Sequence, residues 1–376
     1  MDQKIISSNN DYAELDCWIK NNRISRVCLV CDESISYIHT ISEKIKQIEN
    51  GGVFVARFSK FKPNPTYESV VEGVNFFRRY QCDSVVAVGG GSALDVAKCI
   101  KLYHNLNIDE NDDLYFKVKI IPNNVPFLAI PTTAGTGSEA TRYAVIYYNN
   151  AKQSITSDSC IPDTVLLDPS TLVTLPLYQR KATMSDALCH AIESFWSINS
   201  TSESKEYSKK AIKGIFENYE GYIENDDKSN TGMMIAAHLA GKAINITQTT
   251  AGHAMCYKLT NLFNVSHGHA AFLCDRVLFP WMIENTHKCI DTRGENYLKK
   301  TLDEIGYAMD CNNAYEGATK LNGVFDKLGF VVPTATEDQF VELKRSVNLD
   351  RLKNHPIKLD QKSIDRLYHQ ILKVSK

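Results

Sequence analysis

The strongest constraint on the fold is a change of periodicity about halfway along the chain. Up to roughly residue 170, short apolar runs alternate with segments whose apolar residues recur at helical intervals. RVCLVCD, GVFVARF, SVVAVGG and PFLAIPT fit buried parallel strands. SYIHTISEKIKQIEN, TYESVVEGVNFFRRY and SALDVAKCIKLYHNL fit amphipathic helices between them. This alternation predicts a doubly wound, mostly parallel sheet with right-handed crossovers. AVIYYNNAKQSITS reads as a hairpin turning at Asn149 and Asn150. After LLDPSTLVTLPLYQ the strand signals fade and helical patterns run to the C-terminus. A chain of 376 residues exceeds the usual single-domain range. We therefore expect an α/β domain over residues 1–175 and an all-α domain over residues 176–376, sharing a cleft and meeting at a packed junction, since no repeat or low-complexity linker intervenes.

Composition narrows the function classes. Hydrophobic residues make up 43% and charged residues 23%, ordinary globular values. A formal net charge of -2 and the lack of a dense basic run argue against nucleic acid as a partner. No stretch approaches a transmembrane helix, and MDQKIISSNNDY lacks the basic-then-apolar pattern of a leader, so a cytoplasmic protein with no membrane partner is expected. Eleven cysteines without a repeating framework suit a reducing compartment. Cys28 and Cys31 form a C-x-x-C pair inside VCLVC, where a buried strand is the better setting than a redox turn.

Chemistry begins in SVVAVGGGSALDVAK, where Gly89, Gly90 and Gly91 follow a strand and Ser92 opens a helix. Glycines admit phosphate oxygens close to the backbone, and a helix N-terminus offers N–H groups and a positive dipole end. The loop is neither G-x-G-x-x-G nor a P-loop, and a plain tight connection is the alternative. A second loop, IPTTAGTGSEAT, brings Thr132, Thr133, Thr136, Ser138 and Thr141, suited to a pyrophosphate or ribose or simply to a turn. Asp32 ends the first strand in LVCD, where it would bind an adenosine ribose or cap the next turn.

Downstream, Asp186 and His190 stand four apart in MSDALCHAIE, on one face of a helix. His253 and His267 are fourteen apart, about 21 Å on an unbroken helix, so a shared ion requires a turn between them. Asn261, Asn264 and Gly268 offer places for it. Any one of these histidines alone would read as an isolated core or surface residue; the four together read as a metal site.

In this order the motifs resemble the iron-dependent (group III) alcohol dehydrogenase family over nearly the whole chain: KPNPT, GGGSALDVAK, PTTAGTGSEAT, DPSTLVTLP, DALCHAIE and the spaced histidines. The resemblance implies the dehydroquinate synthase-like architecture, with a divalent metal and nicotinamide in the cleft between the domains. By motif position, Asp186, His190, His253 and His267 would hold the metal. Gly90, Gly91, Ser92 and Asp95 would contact the cofactor phosphates, with Asn64, Thr132, Thr133 and Ser138 nearby. Asp32 matches a residue associated with NAD over NADP, and Lys152 a basic residue near the nicotinamide. The implied cofactors are NAD(H) and Fe(II), with zinc also suited to three imidazoles and a carboxylate, and a homodimer is the expected assembly.

One departure stands out. Many members carry a further histidine four residues after the third ligand, and here that position is Tyr257, able to relay a proton or to shape an apolar wall. The implied reaction is hydride exchange between nicotinamide and a carbonyl compound polarised by the ion. TRYAVIY, ESFWSINSTSESKEYS, TTAGHAMCYKLT and SVNLDRLKNHPIKL look most like the phosphonoacetaldehyde reductase branch. Such a substrate needs cationic and hydrogen-bonding partners, for which Arg142 and Lys258 are the first candidates and Ser202 and Ser204 weaker ones. A dehydrogenase of small diols or hydroxy acids, a lyase of the dehydroquinate synthase type and a non-catalytic nucleotide-binding protein are the rival readings.

Overall fold

The computed structural model describes residues 3–8, 12–106, 115–149, 151–347, 349 and 351–375. The chain forms two compact units, one of Met1–Thr133 with Gly137–Leu175, the other of Ala134–Thr136 with Pro176–Lys376.

The first unit holds β1 (Lys4–Ser7), α1 (Ala13–Asn21), β2 (Arg26–Cys31), α2 (His39–Asn50), β3 (Phe54–Phe58), α3 (Tyr67–Arg79), β4 (Ser84–Gly89), α4 (Gly91–Tyr103), β5 (Phe127–Pro131), β6 (Tyr143–Tyr148), β7 (Ala151–Thr156) and β8 (Thr164–Leu167). Six strands form one parallel sheet in the order β1-β8-β5-β4-β2-β3. Strand alternation sends side chains to opposite faces. Leu29, Val86 and Leu128 pack with Leu15 and Trp18 of α1 and Ile41 and Ile45 of α2. Cys28, Ala87 and Phe127 pack with Phe77 of α3 and Leu94 and Ile100 of α4. The sheet is therefore covered on both faces, as the alternating sequence requires. Cys28 and Cys31 fall into opposite clusters, so their sulfurs serve two separate cores. β6 and β7 pair antiparallel as the expected hairpin, with Asn149 at φ 49; Asn150 lies outside the described residues. In this unit two described strands escaped the sequence reading. β1 and β8 have four residues each, too short to show a period, and β1 is largely exposed.

The second unit holds α5 (Leu177–Trp196), α6 (Ser202–Ile223), α7 (Asp227–Thr247), α8 (Ala251–Phe263), α9 (His267–Glu284), α10 (Glu295–Ala308), α11 (Ala314–Leu328), α12 (Glu337–Ser346) and α13 (Gln361–Ile371), with the two-residue parallel strands β9 (Thr334–Ala335) and β10 (Lys373–Val374). α5 is the central rod, packed against α6, α7 and α9 and buried almost all round from Ala182 onward. Strong caps mark the helix starts: Thr201 and Ser204 form a capping box on α6, and Asp226 accepts from Ser229 N on α7. Of the three breaks considered between His253 and His267, Asn264 makes the turn, in the left-handed region at φ 50. Asn261 stays inside α8 and Gly268 inside α9. Among the described residues no helix is long and apolar enough to cross a membrane.

Candidate functional site

In the first unit, β4 ends on Gly89 with φ +155, a conformation open to glycine, and a Cβ there would meet Ala93 Cβ at 2.6 Å. Gly90 is the N-cap of α4 with no side-chain hydrogen bond, and Gly91 and Ser92 form the first turn. A glycine cap offers the first-turn N–H groups no side-chain acceptor of its own, a geometry suited to an anion. The second loop packs on the first: Thr132 N donates to Gly89 O at 3.1 Å, and Thr133 lies against Gly90. Ser138 Oγ donates to Asp95 Oδ1 at 2.8 Å and Val145 N to Asp95 Oδ2 at 3.0 Å, so Asp95 ties the loop and hairpin to α4. Lys98, which the sequence reading did not single out, is fully buried and donates to Ser138 O at 2.7 Å and Thr141 O at 2.9 Å. Burial pushes its ammonium pKa down while Asp95 opposes that shift.

Asp32 accepts from Ser34 N at 2.8 Å and caps the turn after β2, with its other oxygen directed toward Gly89. Asn64 sits at φ 61 in the segment before α3, where Tyr147 N donates to Pro65 O at 2.8 Å. Lys152 pairs across the hairpin with Tyr147; burial raises the Asp95 pKa, and Lys98 and Lys152 oppose that shift. Arg142 Nη1 lies 3.6 Å from Asp158 Oδ1, and its Nε donates to Tyr143 Oη at 3.4 Å.

In the second unit, α5, α8 and α9 bring the four expected ligands together. Asp186, His253 and His267 each offer a ligand atom within 4.8 Å of the others. His190 Nε2 stands 4.0 Å from Asp186 Oδ1, and the His190 and His253 rings stack with centroids 4.5 Å apart. From Asp186 Oδ1, His253 Nε2 is at 3.5 Å and His267 Nε2 at 3.8 Å. Asp186 Oδ1 and His253 Nε2 are buried yet lack a hydrogen-bond partner among the described residues. Such orphaned donor atoms, converging on one point, fit a divalent cation.

The electrostatics agree. Burial opposes ionisation of Asp186, but His190, His267 and His253 hold its carboxyl well below the usual range. Burial lowers His190 to about 4, leaving a neutral ring with a free lone pair. Burial also disfavours charge on His253, yet Glu193 and Asp186 outweigh it and raise its pKa, so this point in the unit attracts positive charge.

Glu193 is the main residue the sequence reading missed. Its Oε1 accepts from His253 N at 3.0 Å and from His253 Nδ1, while Oε2 accepts from Thr250 N at 2.5 Å and Thr250 Oγ1 at 2.6 Å. Bonding at Nδ1 turns Nε2 toward Asp186, the usual carboxylate–histidine arrangement of a metal site. The signal was present: Asp186, His190 and Glu193 are spaced i, i+4 and i+7 along one helical face.

Tyr257, one turn beyond His253, stacks on the His267 ring at 5.5 Å and 12°. Lys258 differs. Five residues from His253 is about 140° around a helix, and its ammonium pairs with Glu342 Oε1 at 2.5 Å in an open pocket lined also by Asp338 and Arg345. Ser202 is exposed in the first turn of α6, and Ser204 is consumed by the capping box.

Comparison with known proteins gives the same answer in both halves. The family model for iron-containing alcohol dehydrogenase matches residues 2–169, and that for the C-terminal part of the Fe-containing alcohol dehydrogenase family matches residues 181–371. Alcohol dehydrogenase 4 of Saccharomyces cerevisiae (strain YJM789) is 33% identical over 292 residues, covering 77% of this chain and 74% of that protein. NAD-dependent methanol dehydrogenase of Bacillus methanolicus is 32% identical over 262 residues, covering 68% and 67%. The match to aldehyde-alcohol dehydrogenase of Streptococcus pneumoniae serotype 4 is 30% over 275 residues, 69% of this chain but 31% of that longer one. Among solved structures, sulfoacetaldehyde reductase from Bifidobacterium kashiwanohense in complex with NAD+ shares the fold at a TM-score of 0.86 and 24% identity, covering 98% and 96% of the two chains. With both family models matched across nearly its full length, the chain belongs to the iron-containing alcohol dehydrogenase family.

Proposed function

We propose that this protein is a metal-dependent, NAD(H)-linked aldehyde reductase that reduces phosphonoacetaldehyde to 2-hydroxyethylphosphonate, working as a cytoplasmic homodimer. The observation that carries the redox reading is the convergence of Asp186, His190, His253 and His267, with orphaned buried donor atoms on Asp186 and His253. These four residues would hold Fe(II) or Zn(II). When bound, the ion supplies Lewis acidity to a carbonyl oxygen and NADH supplies the hydride.

The chain's own residues prepare that chemistry. Glu193 keeps the proton on His253 Nδ1 and leaves Nε2 as the donor atom. Tyr257, stacked on His267, places a phenol beside the ligand set to deliver a proton to the product alkoxide. Gly90, Gly91 and Ser92 present backbone N–H groups to a pyrophosphate, with Thr132, Thr133 and Ser138 behind them and Asp95 holding Ser138 in place. Asp32, whose carboxylate repels a 2′-phosphate, favours NAD over NADP, and Lys152 is the cation assigned to the nicotinamide end. Asn64 contributes from the loop before α3.

The phosphonate assignment rests on the sequence segments around Arg142, Ser202 and Lys258. Arg142 is the leading contact, because its pair with Asp158, at 3.6 Å, is longer than that of Lys258 with Glu342, at 2.5 Å. An anaerobic assay of Fe(II)-reconstituted protein, following NADH loss with phosphonoacetaldehyde, lactaldehyde and simple aldehydes, tests the whole reading. Preference for the phosphonate is expected, and Arg142→Ala is expected to raise its KM far more than that of a neutral aldehyde. Preference for a neutral aldehyde overturns the substrate and leaves the reductase, while turnover without matched NADH loss favours the lyase alternative.

A further inference from the structure

The ligand histidines on α8 and α9 are supported unequally. His253 is 1% exposed and bonded to Glu193, whereas the side chain of His267 is 38% exposed and opens α9. Burial alone does not fix the His267 ring. Its Nε2 faces the cluster, 3.8 Å from Asp186 Oδ1, so in a neutral imidazole with Nε2 as the acceptor, Nδ1 carries the proton. Nδ1 faces Cys256 Sγ at 3.6 Å. Cys256 is fully buried on α8, and its thiol donates to the His253 carbonyl at 3.4 Å. That donation directs the S–H back along its own helix and leaves sulfur lone pairs for the imidazole.

We infer that Cys256 is a positioning residue: it accepts the Nδ1–H of His267, donates to His253 O, and so ties the ring on α9 to the helix that carries the third ligand. The donors and acceptors balance, since a thiol has one weak donor and an acceptor sulfur. Tyr257 covers the face of the same ring, so Cys256 sets the in-plane direction and Tyr257 limits tilt. A thiol is a softer acceptor than the carboxylate on His253, making His267 the less basic and more readily displaced arm of the site. This rests on the proposed metal role of the four residues.

The test is competition of Co(II) and Zn(II) against a chromophoric chelator, with the cobalt d–d spectrum recorded on the full-length protein. Cys256→Val preserves apolar volume without a donor or acceptor, Cys256→Ala removes both, and Cys256→Ser restores both. Val and Ala variants are expected to bind metal about tenfold more weakly with a shifted cobalt band, and Ser to recover most of that loss. A Val variant with wild-type affinity and spectrum overturns the inference, because sulfur would then only fill space. A Ser variant as weak as Val also counts against it. Wild-type protein that binds no metal brings down the proposed function and this inference together, whereas a metal-binding wild type with an unaffected Val variant brings down this inference alone.

Discussion

Four donors converge on the Glu193 carboxylate, two from Thr250 and two from His253, and this saturation explains why a fully buried carboxylate stays ionised: burial opposes the charge, but His253 and Thr250 outweigh it and lower its pKa. Glu193→Gln must present an amide N–H to at least one existing donor. We expect metal affinity to fall about 10–100-fold, read by chelator competition; unchanged affinity would show that His253 orients itself. His355 illustrates the opposite case. It is fully buried with neither ring nitrogen partnered among the described residues, and burial lowers its pKa to about 4 from 6.5. The unfolded chain therefore binds the extra proton between those values. Stability from this residue is complete above pH 6.5 and is lost as pH falls toward 4, on the order of 3 kcal/mol. His355→Phe, retaining a ring against Trp196, should flatten the acid limb of urea-unfolding midpoints measured across pH. Parallel limbs in wild type and variant would remove His355 from the acid response.

The packing of α9 against α5 illustrates how one close helix contact sets the distance between two side chains of a site. A Cβ on Gly268 would lie 1.9 Å from Ala182 O and 2.7 Å from Asp186 Cβ. Only a glycine lets α9 approach closely enough for His267, one residue earlier, to reach Asp186. Gly268→Ala is expected to cost about 2 kcal/mol by overpacking and to lose metal binding, checked by thermal melting and metal content. A variant that melts lower but keeps its metal would show that the close approach serves packing alone. The sequence offered Gly268 as a helix breaker, and the reason it did not act as one lies in this contact.

At the scale of the whole molecule, the proposed ligand atoms all lie in the helical unit, so metal removal is expected to act on that unit. A ligand bound only to the folded form at a hundredfold excess over its Kd stabilises by about 2.7 kcal/mol. Chelation is expected to lower protection from hydrogen exchange in α5, α8 and α9 while leaving β2, β4 and β5 unchanged. Uniform loss across both units would mean that metal binding is coupled to the stability of the entire chain.

Periodicity alone determined the α/β character of the first half, the helical character of the second, and the strands β2 to β5, because long apolar runs and helical spacing are local signals. Local spacing also paired Asp186 with His190 and required a turn before His267. The short strands β1 and β8 carried no readable period, since their partners supply the ladder that defines them. Glu193 lay on the ligand face in plain view, but a carboxylate at that spacing has no role until α8 delivers His253 Nδ1 to it. Lys98 drew no reading from the sequence, because its role appears only where the second loop closes over its ammonium. Lys258 stood beside a ligand in sequence, and helix rotation together with Glu342 turned it away. Contacts between residues distant along the chain decided these roles, because the direction of a side chain and the identity of its partner are set by packing rather than by its neighbours in sequence.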